Sequence, residues 1–547
     1  MLHLISLNCR YTHSCLAQFC LRAELERRLP KLPVRLSQFT LNDPYYATLL
    51  RISGQPAQAL LFSVYVWNHA YIRRLISDLA RLQPDLPIIL GGPQAEAMIN
   101  LPPNCTVFLG EIEGAAEDFF HDVRQGKLQP RYQAAPSRSF PSPYQQEDFS
   151  THLKNRQVYY ESSRGCPYSC SYCLSSISKG VRHKPLELVQ EELRCLIAAK
   201  PLIIKFVDRT FNDKPERALA IWEFLLAEAD GVRFHFEIAP DRFTAEMFAL
   251  LEKIPCDLFQ LEIGIQSCNE QTLAAVKRRM DLPQAEANIR RLVALNTIHI
   301  HADLILGLPF EDAASFRESF NRIFRCRPHH VQLGLLKVLP GTEMQARAAE
   351  FGLLHCAEPP YEVLATRWLP HEELLDLYEF CECAEAFHNN RFFPSLWAYL
   401  LQRGEEPSAF FRSLLELCRQ RGFFQLAQTQ ALMSSLLAEL ARQRGDGPLL
   451  LELLRYDWLR CGHRFLPEEL AITPPAALRD RLRQTLPEAI EGLFSSRTRT
   501  EFLKQTNLLE LSAEVMAVLG LGERAGIVAL LLEQTGGVLK HCRAVVL

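Results

Sequence analysis

Arg164-Gly165-Cys166-Pro167-Tyr168-Ser169-Cys170-Ser171-Tyr172-Cys173 sets three thiols at x3 and x2 spacings, directly after an apolar run over residues 158–162 that reads as a β-strand. A loop of this length wraps three thiolates around one inorganic cube. A structural zinc site takes four protein ligands, and no fourth Cys or His follows at suitable short spacing. Three thiolates instead leave one iron of a [4Fe–4S] cluster open to bind a substrate or cofactor. Gly165 and the small residues between the thiols let backbone amides approach the sulfides.

Working outward, the strand at 158–162 begins a series. Further strand patterns fall at 202–207, 233–238, 258–265, 298–306 and 331–338, with helical periods between them at 186–199, 215–229, 285–295 and 313–324. Six βα repeats predict a partial, TIM-like (β/α)6 barrel whose catalytic face lies at the carboxyl ends of the strands. Upstream, strand patterns at 2–7, 34–41, 59–66, 87–92 and 106–110 alternate with helices at 16–29, 71–82 and 112–123, which predicts a Rossmann-like doubly wound sheet. Residues 128–155, rich in Pro, Ser and Gln with no strand or helix period, read as a linker. Beyond residue 346 the strand pattern stops and amphipathic helices follow, among them 372–387, 405–421, 428–443 and 508–519. The predicted organisation is an α/β multidomain chain: a doubly wound domain over 1–127, the linker, a partial barrel over 156–345 and a helical domain over 346–547.

Composition narrows the function classes. The chain has 547 residues, more than one core usually organises, and its 48% hydrophobic and 22% charged content is that of a globular protein. A net charge of −3 supplies no global field toward nucleic acid or an anionic membrane. No run approaches the roughly 20 apolar residues that span a bilayer, and the N-terminus lacks a basic segment followed by a long apolar run. With 17 cysteines of which one group has ligand spacing, the expectation is a cytoplasmic protein. Cys381 and Cys383 lie on one predicted helix and point apart, as core cysteines do.

Cys166-x3-Cys170-x-Tyr172-Cys173, with an aromatic residue before the last cysteine, resembles the signature of the radical S-adenosylmethionine (SAM) superfamily. The resemblance implies that Cys166, Cys170 and Cys173 hold the cluster, that its open iron chelates SAM, and that reduction cleaves SAM to a 5′-deoxyadenosyl radical. It also implies SAM contacts along the strand ends. In Lys205-Phe-Val-Asp208-Arg209-Thr210 the family's usual Gly-Gly-Glu is absent, so Asp208 or Thr210 stands in for it. Glu237 on the third strand, Glu262-Ile-Gly-Ile-Gln266-Ser267 on the fourth, and Leu304-Ile-Leu306-Gly-Leu-Pro on the fifth resemble positions that contact SAM or pack its adenine.

The first domain lacks the G-x-G-x-x-G of dinucleotide binding. It carries His13 after the first strand, Ser63 and Tyr65 after the third, and Gly91-Gly92 after the fourth, loops that meet at one sheet edge. That order is similar to the cobalamin (B12)-binding domains of corrinoid enzymes, and such a domain ahead of a radical SAM barrel is a family arrangement. Of the usual Asp-x-His-x-x-Gly only His13 is kept, which favours a hydrogen-bonding His13 over a cobalt ligand. The resemblance implies three cofactors, a [4Fe–4S] cluster, SAM and cobalamin, and a methyltransferase acting on an unactivated carbon through the adenosyl radical and methylcobalamin. A small-molecule or peptide substrate and an electron donor such as flavodoxin or ferredoxin are the implied partners. The alternatives are a cobalamin radical enzyme of rearrangement, ring contraction or oxidation, an RNA-modifying enzyme, and a non-catalytic corrinoid or SAM sensor. RNA modification is disfavoured, since neither a second cysteine group nor an RNA-binding module is evident. Nucleic acid and membrane are not expected partners.

Overall fold

Seven consecutive buried residues, Leu2–Asn8, form β1. A continuous buried run marks a parallel strand covered on both faces. In the computed structural model, which describes residues 1–177, 180–471, 475–490, 498–532 and 542–547, β1 lies between β2 (Val34–Thr40) and β3 (Ala59–Ser63), followed by β4 (Ile88–Gly91), β5 (Cys105–Leu109) and β6 (Arg131–Gln133). All neighbours pair in parallel, in the order β2-β1-β3-β4-β5-β6. The strand order reverses between β1 and β3, and the crevice beyond their carboxyl ends is where such sheets receive ligands. Helices Leu16–Arg28, Tyr45–Ser53, His69–Leu82 and Glu117–Gln125 cover the faces; the second of these was not anticipated.

The segment read as a linker is docked on this sheet. β6 lies inside it, and the Asp148 carboxylate receives Arg22 at 2.5 Å, both side chains nearly fully buried. Further on, Gln157 N–H donates to Thr12 C=O at 2.7 Å and Ser14 Oγ donates to Gln157 C=O at 2.7 Å, so the chain enters the second sheet fastened to the loop after β1.

The second sheet begins with β7 (Val158–Tyr160). A hairpin, β8 (Ser163–Cys166) with β9 (Gly180–His183), interrupts it before β10 (Ile203–Phe206), β11 (Arg233–Ile238), β12 (Phe259–Gln266), β13 (His299–Leu306) and β14 (His330–Leu335). The six long-range strands run in parallel in the order β7-β10-β11-β12-β13-β14, the predicted partial barrel. One residue in two faces the helices: Phe206, Phe236 and Phe259 pack with Phe211 around Trp222 of helix Pro215–Glu228, whose side chain is fully buried. A cavity at such a position costs about 3–5 kcal/mol. The other half of the residues face the lumen.

Helix His371–Asn389 closes the open edge of the barrel. Glu385 accepts from Leu333 N–H at 2.5 Å, and Asn389 both accepts from Val331 N–H at 2.9 Å and donates to Val331 C=O at 2.8 Å, so side chains satisfy the edge strand's free groups. The helical region is present as expected, including Pro407–Gln420, Gln430–Arg442 and Gly447–Arg460. Its end differs from expectation. After the short pair β15 (Leu354–His355) and β16 (Val363–Ala365), strands return as β17 (Asn507–Leu511), β18 (Gly526–Leu532) and β19 (Cys542–Val546), an antiparallel sheet. The expected helix over 508–519 is a strand followed by helix Ala513–Val518, with Ser512 capping the helix by accepting from Val515 N–H. An Asn-Leu-Leu-Glu-Leu run fits both periods, and pairing with the β-branched Ile527 and Val528 selects the strand. Among the described residues no helix is long and apolar enough to cross a membrane.

Candidate active site

The cluster-type loop is carried by the β8–β9 hairpin. At Gly165 the backbone has φ +100° and an added Cβ would collide with the Gly180 carbonyl, so glycine is what lets the two strands close. Ser171 N–H donates to Val276 C=O at 3.0 Å and Met344 N–H donates to Ser171 C=O at 2.8 Å, pinning the loop to segments following β12 and β14. Cys173 N–H donates to Cys170 C=O at 3.1 Å. Cys170 is buried; Cys166 and Cys173 are half-buried. The guanidinium of Arg278 lies 3.8 Å from Cys170 Sγ and also donates to Gly264 C=O.

The three thiols line one cavity of about 170 Å³ with Tyr172, Thr210, Glu237, Glu262 and Gln266. Thr210 Oγ1 sits 3.6 Å from Cys166 Sγ. Burial pushes the Glu237 carboxyl up to about 7 against the opposing charge of Arg209, 4.0 Å away. Burial also pushes Glu262 up, but His235 Nε2, at 3.0 Å, outweighs it and holds this carboxyl below the usual range. Burial lowers His235 as well, and its Nε2–H donates to the carboxylate. Asp303, across from Gly264, is raised well above the carboxylate range by burial and by the charges of Glu262 and Glu237.

A second, larger cavity of about 620 Å³ opens beyond the carboxyl ends of β1, β3 and β4. His13, Ser63, Tyr65, Gly91 and Gly92 all line it, joined from the barrel by Tyr159, Glu161, Arg164, Val207 and Arg209. His13 Nδ1 is 2.6 Å from the Tyr159 hydroxyl, and burial followed by the charges of Lys205 and Arg10 lowers its pKa. Ser63 Oγ accepts from Gln18 Nε2 at 3.0 Å. Tyr65 stacks on the exposed Trp67 at 4.4 Å between ring centroids. Arg209 lines both cavities, so the loops at Tyr65 and Gly92 and the cysteine loop open toward the same region between the two sheets.

Three of the expected SAM contacts lie elsewhere. Asp208 is fully buried behind the hairpin, accepting from Ser162 N–H at 2.9 Å and from the hydroxyls of Ser162 and Ser163 at 2.6 Å each; it ties β10 to the start of the hairpin and leaves Thr210 as the one of the pair on the cavity. Ser267 is buried on the opposite side, donating to Glu311 at 2.6 Å. Leu306 is an even-numbered residue of β13, on the face that packs against helices. Gln266 reaches the cavity through a bulge: its φ is +75° and the β12–β13 register shifts between Gly264 and Gln266.

Sequence reasoning missed Arg209, Arg278 and Asp303. Lys277-Arg278-Arg279 reads as a solvated charged run, and only the middle residue turns inward. Asp303 did carry a signal, the alternation His299, His301, Asp303 along one strand face. Also missed was the clamp between the domains. Arg164, next but one before Cys166, donates to Glu161 at 2.8 and 2.9 Å and to Glu113 at 2.8 Å, and Nη1 reaches Glu111 at 3.1 Å; its cross-strand partner Arg182 also binds Glu111. The Gly110-Glu111-Ile-Glu113 turn lines the larger cavity and grips the cysteine hairpin at once.

Residues 160–323, which carry the three thiols, their hairpin and the strand-end carboxylates of the thiol cavity, match the radical SAM superfamily. These residues are a radical SAM domain. Residues 349–506 match a second family described as a protein of unknown function, DUF4080. Among similar proteins are the 2-(S-pantetheinyl)-carbapenam-3-carboxylate methyltransferase of Streptantibioticus cattleyicolor, 22% identical over 63% of this chain and 59% of its own length, and the cobalamin-dependent radical SAM methyltransferase TokK of Streptomyces tokunonensis, 23% identical over 63% and 58%. The chain thus spans less than two thirds of the length of these curated relatives. In fold it is similar to the cobalamin-dependent S-adenosylmethionine radical enzyme OxsB, solved with aqua-cobalamin, at a TM-score of 0.57 and 14% identity over 88% of this chain and 83% of that one. The resemblance read from the cysteine motif is borne out, as is the α/β multidomain class with a partial barrel and a helical C-terminal region.

Proposed function

We propose that this radical SAM protein is a cobalamin-dependent methyltransferase that modifies an unactivated carbon of a small molecule, with domains over 1–127, 156–345 and 346–547. The observation that carries this reading is the pair of cavities that meet at Arg209, one lined by three thiols and the other by the loops of a doubly wound sheet. The residues fit the groups. Among the described residues no three His, Cys, Asp or Glu side chains converge on a point suited to a single ion. Three thiols spread around one cavity suit a polynuclear cluster with one iron per thiolate. Small residues at Ser63 and Gly91 leave a channel into the first sheet. Cys166, Cys170 and Cys173 would hold the cluster, Thr210, Glu237, Glu262 and Gln266 would hold SAM, and the loops at Ser63, Tyr65 and Gly91-Gly92 would hold the corrinoid.

When bound, these groups supply a hydrogen-abstracting radical and a transferable methyl group. The chain's own work is placement. Arg278 offsets negative charge at Cys170, His235 keeps Glu262 ionised and oriented, and the Arg164 clamp fixes the hairpin against the first domain. His13, engaged by Tyr159, serves as a hydrogen-bonding residue of the wall. Tyr65 and Trp67 close the outer side against water. A cytoplasmic setting and a flavodoxin- or ferredoxin-type electron donor go with this proposal.

The test is anaerobic reconstitution with iron, sulfide, SAM and corrinoid. The expected result is one [4Fe–4S] cluster and one corrinoid per chain, and loss of SAM cleavage in Cys166→Ala, Cys170→Ala and Cys173→Ala. One zinc per chain without iron, or no corrinoid at micromolar concentration, would overturn it. Product mass separates methyl addition from rearrangement, ring contraction or oxidation.

A further inference from the structure

The interior of a closed (β/α)8 barrel is filled by layers of branched apolar side chains. Here the lumen-facing positions of neighbouring strands are polar: Lys205 on β10, His235 on β11, Glu262 on β12, His301 on β13 and His330 on β14. The registers place Lys205 beside Tyr159 and His235, Glu262 beside His301, and His301 beside His330, so these groups form one continuous floor. Polar groups withdrawn from water without partners cost about 1–3 kcal/mol each. Part of the floor is satisfied, since His235 donates to Glu262. Part is not: His301 Nε2 and Asp303 Oδ1 lie 3.1 Å apart, yet neither makes a hydrogen bond, and His330 Nδ1 is likewise unmet.

Lys205 is the charged member of this floor with no contact partner. Its neighbours Ile204 and Phe206 face the helices, Val207 and Arg209 continue its own face into the larger cavity, and it forms no hydrogen bond or ion pair among the described residues. Its charge is felt by His13 from the first domain and by His235, Glu237, Glu262 and His301 within the barrel. Lys205 itself lines neither cavity, but its cross-strand neighbour Tyr159 and the next residue of its own face, Val207, line the larger one, and Glu237 and Glu262, which feel its charge, line the thiol cavity.

We propose that Lys205 receives the carboxylate of an acidic small-molecule substrate on the lumen floor, beside the imidazoles of His235 and His301. This rests on the methyltransferase reading for the word substrate, while the anion site itself stands on the lumen geometry. A monoanion fits better than a phosphate dianion, because the Glu262 carboxylate shares the floor and repels a second negative charge.

The test uses the full reconstituted chain and 19F line broadening of trifluoroacetate, with 2,2,2-trifluoroacetamide as the neutral match and fluorophosphate as the dianion. Wild type is expected to bind trifluoroacetate, Lys205→Met to weaken it at least 10-fold, Lys205→Arg to stay within about 3-fold, and trifluoroacetamide to bind poorly throughout. Equal broadening in wild type and Lys205→Met, including none in either, overturns the anion site. Tighter fluorophosphate overturns the carboxylate assignment. Corrinoid and SAM retention are measured on the same samples. If Lys205→Met loses corrinoid but keeps trifluoroacetate, the ammonium serves the corrinoid and the proposal falls. If wild type retains no corrinoid but still binds trifluoroacetate through Lys205, the methyltransferase reading fails alone.

Discussion

Arg164→Met keeps an unbranched side chain but removes the guanidinium that joins the cysteine hairpin to the first domain and that lies over Phe140, with 4.5 Å from its carbon to the ring centre. The Arg164 side chain is 13% exposed, Glu113 8% and Glu161 22%, so the substitution leaves two carboxylates largely desolvated and without a cation; Glu111 keeps Arg182. Breaking one side of such a buried network costs about 3–5 kcal/mol, equivalent to roughly 140- to 3,700-fold in a local opening equilibrium. Hydrogen exchange on the full chain reads this directly. Peptides covering 107–116 and 158–166 should lose protection by that factor at pH 7.5, while those from helix Gly447–Arg460 should not change. The pH dependence has a definite sign. Burial raises Glu161 and Arg164 opposes the rise. Without Arg164 the carboxyl binds its proton at higher pH in the folded protein than in the unfolded one, so the penalty shrinks as pH falls to 5.5. Protection lost by less than 5-fold, or lost equally at pH 5.5 and 7.5, would refute the reasoning that the domains are held by a closed, desolvated charge network.

Two further outcomes are accessible. At Gly91 an added Cβ meets nothing nearer than the Phe108 carbonyl at 3.7 Å, whereas at Gly92, with φ +100°, it meets the Val64 carbonyl at 2.7 Å; Gly91→Val should therefore lower corrinoid retention at least 10-fold with an unchanged melting temperature, and Gly92→Val should lower the melting temperature itself. Equal retention in Gly91→Val and wild type would show that this channel holds no corrinoid tail. His329 Nδ1 accepts from Ile300 N–H at 3.0 Å, and burial with the charges of Arg391, His388 and Arg327 lowers its pKa to about 3. A histidine depressed in the folded state gives stability that is complete above its unfolded pKa near 6.5 and is lost as pH falls toward 3. The melting temperature should fall below pH 6.5, less steeply in His329→Gln, and identical slopes would contradict this.

What the sequence by itself determined follows from local rules. Parallel strands buried on both faces read as apolar runs, and the cysteine spacing is a property of a single loop, so both sheets, most of their helices and the thiol triad are legible without coordinates. Local patterns cannot say which of two adjacent polar residues turns inward after a strand ends. Asp208 and Thr210 are two residues apart, yet one braces the hairpin and the other faces the thiols, because the turn after β10 is set by Ser162 and Ser163. The same holds for Ser267 beside Gln266, where a bulge decides. Only the tertiary structure brought Arg164 to Glu111 and Glu113, Tyr159 to His13, and Lys205 to a place between Tyr159 and His235. Those contacts join residues separated by up to 146 positions, and long-range electrostatics of that kind depend on how two sheets dock, which no period or motif within either sheet encodes.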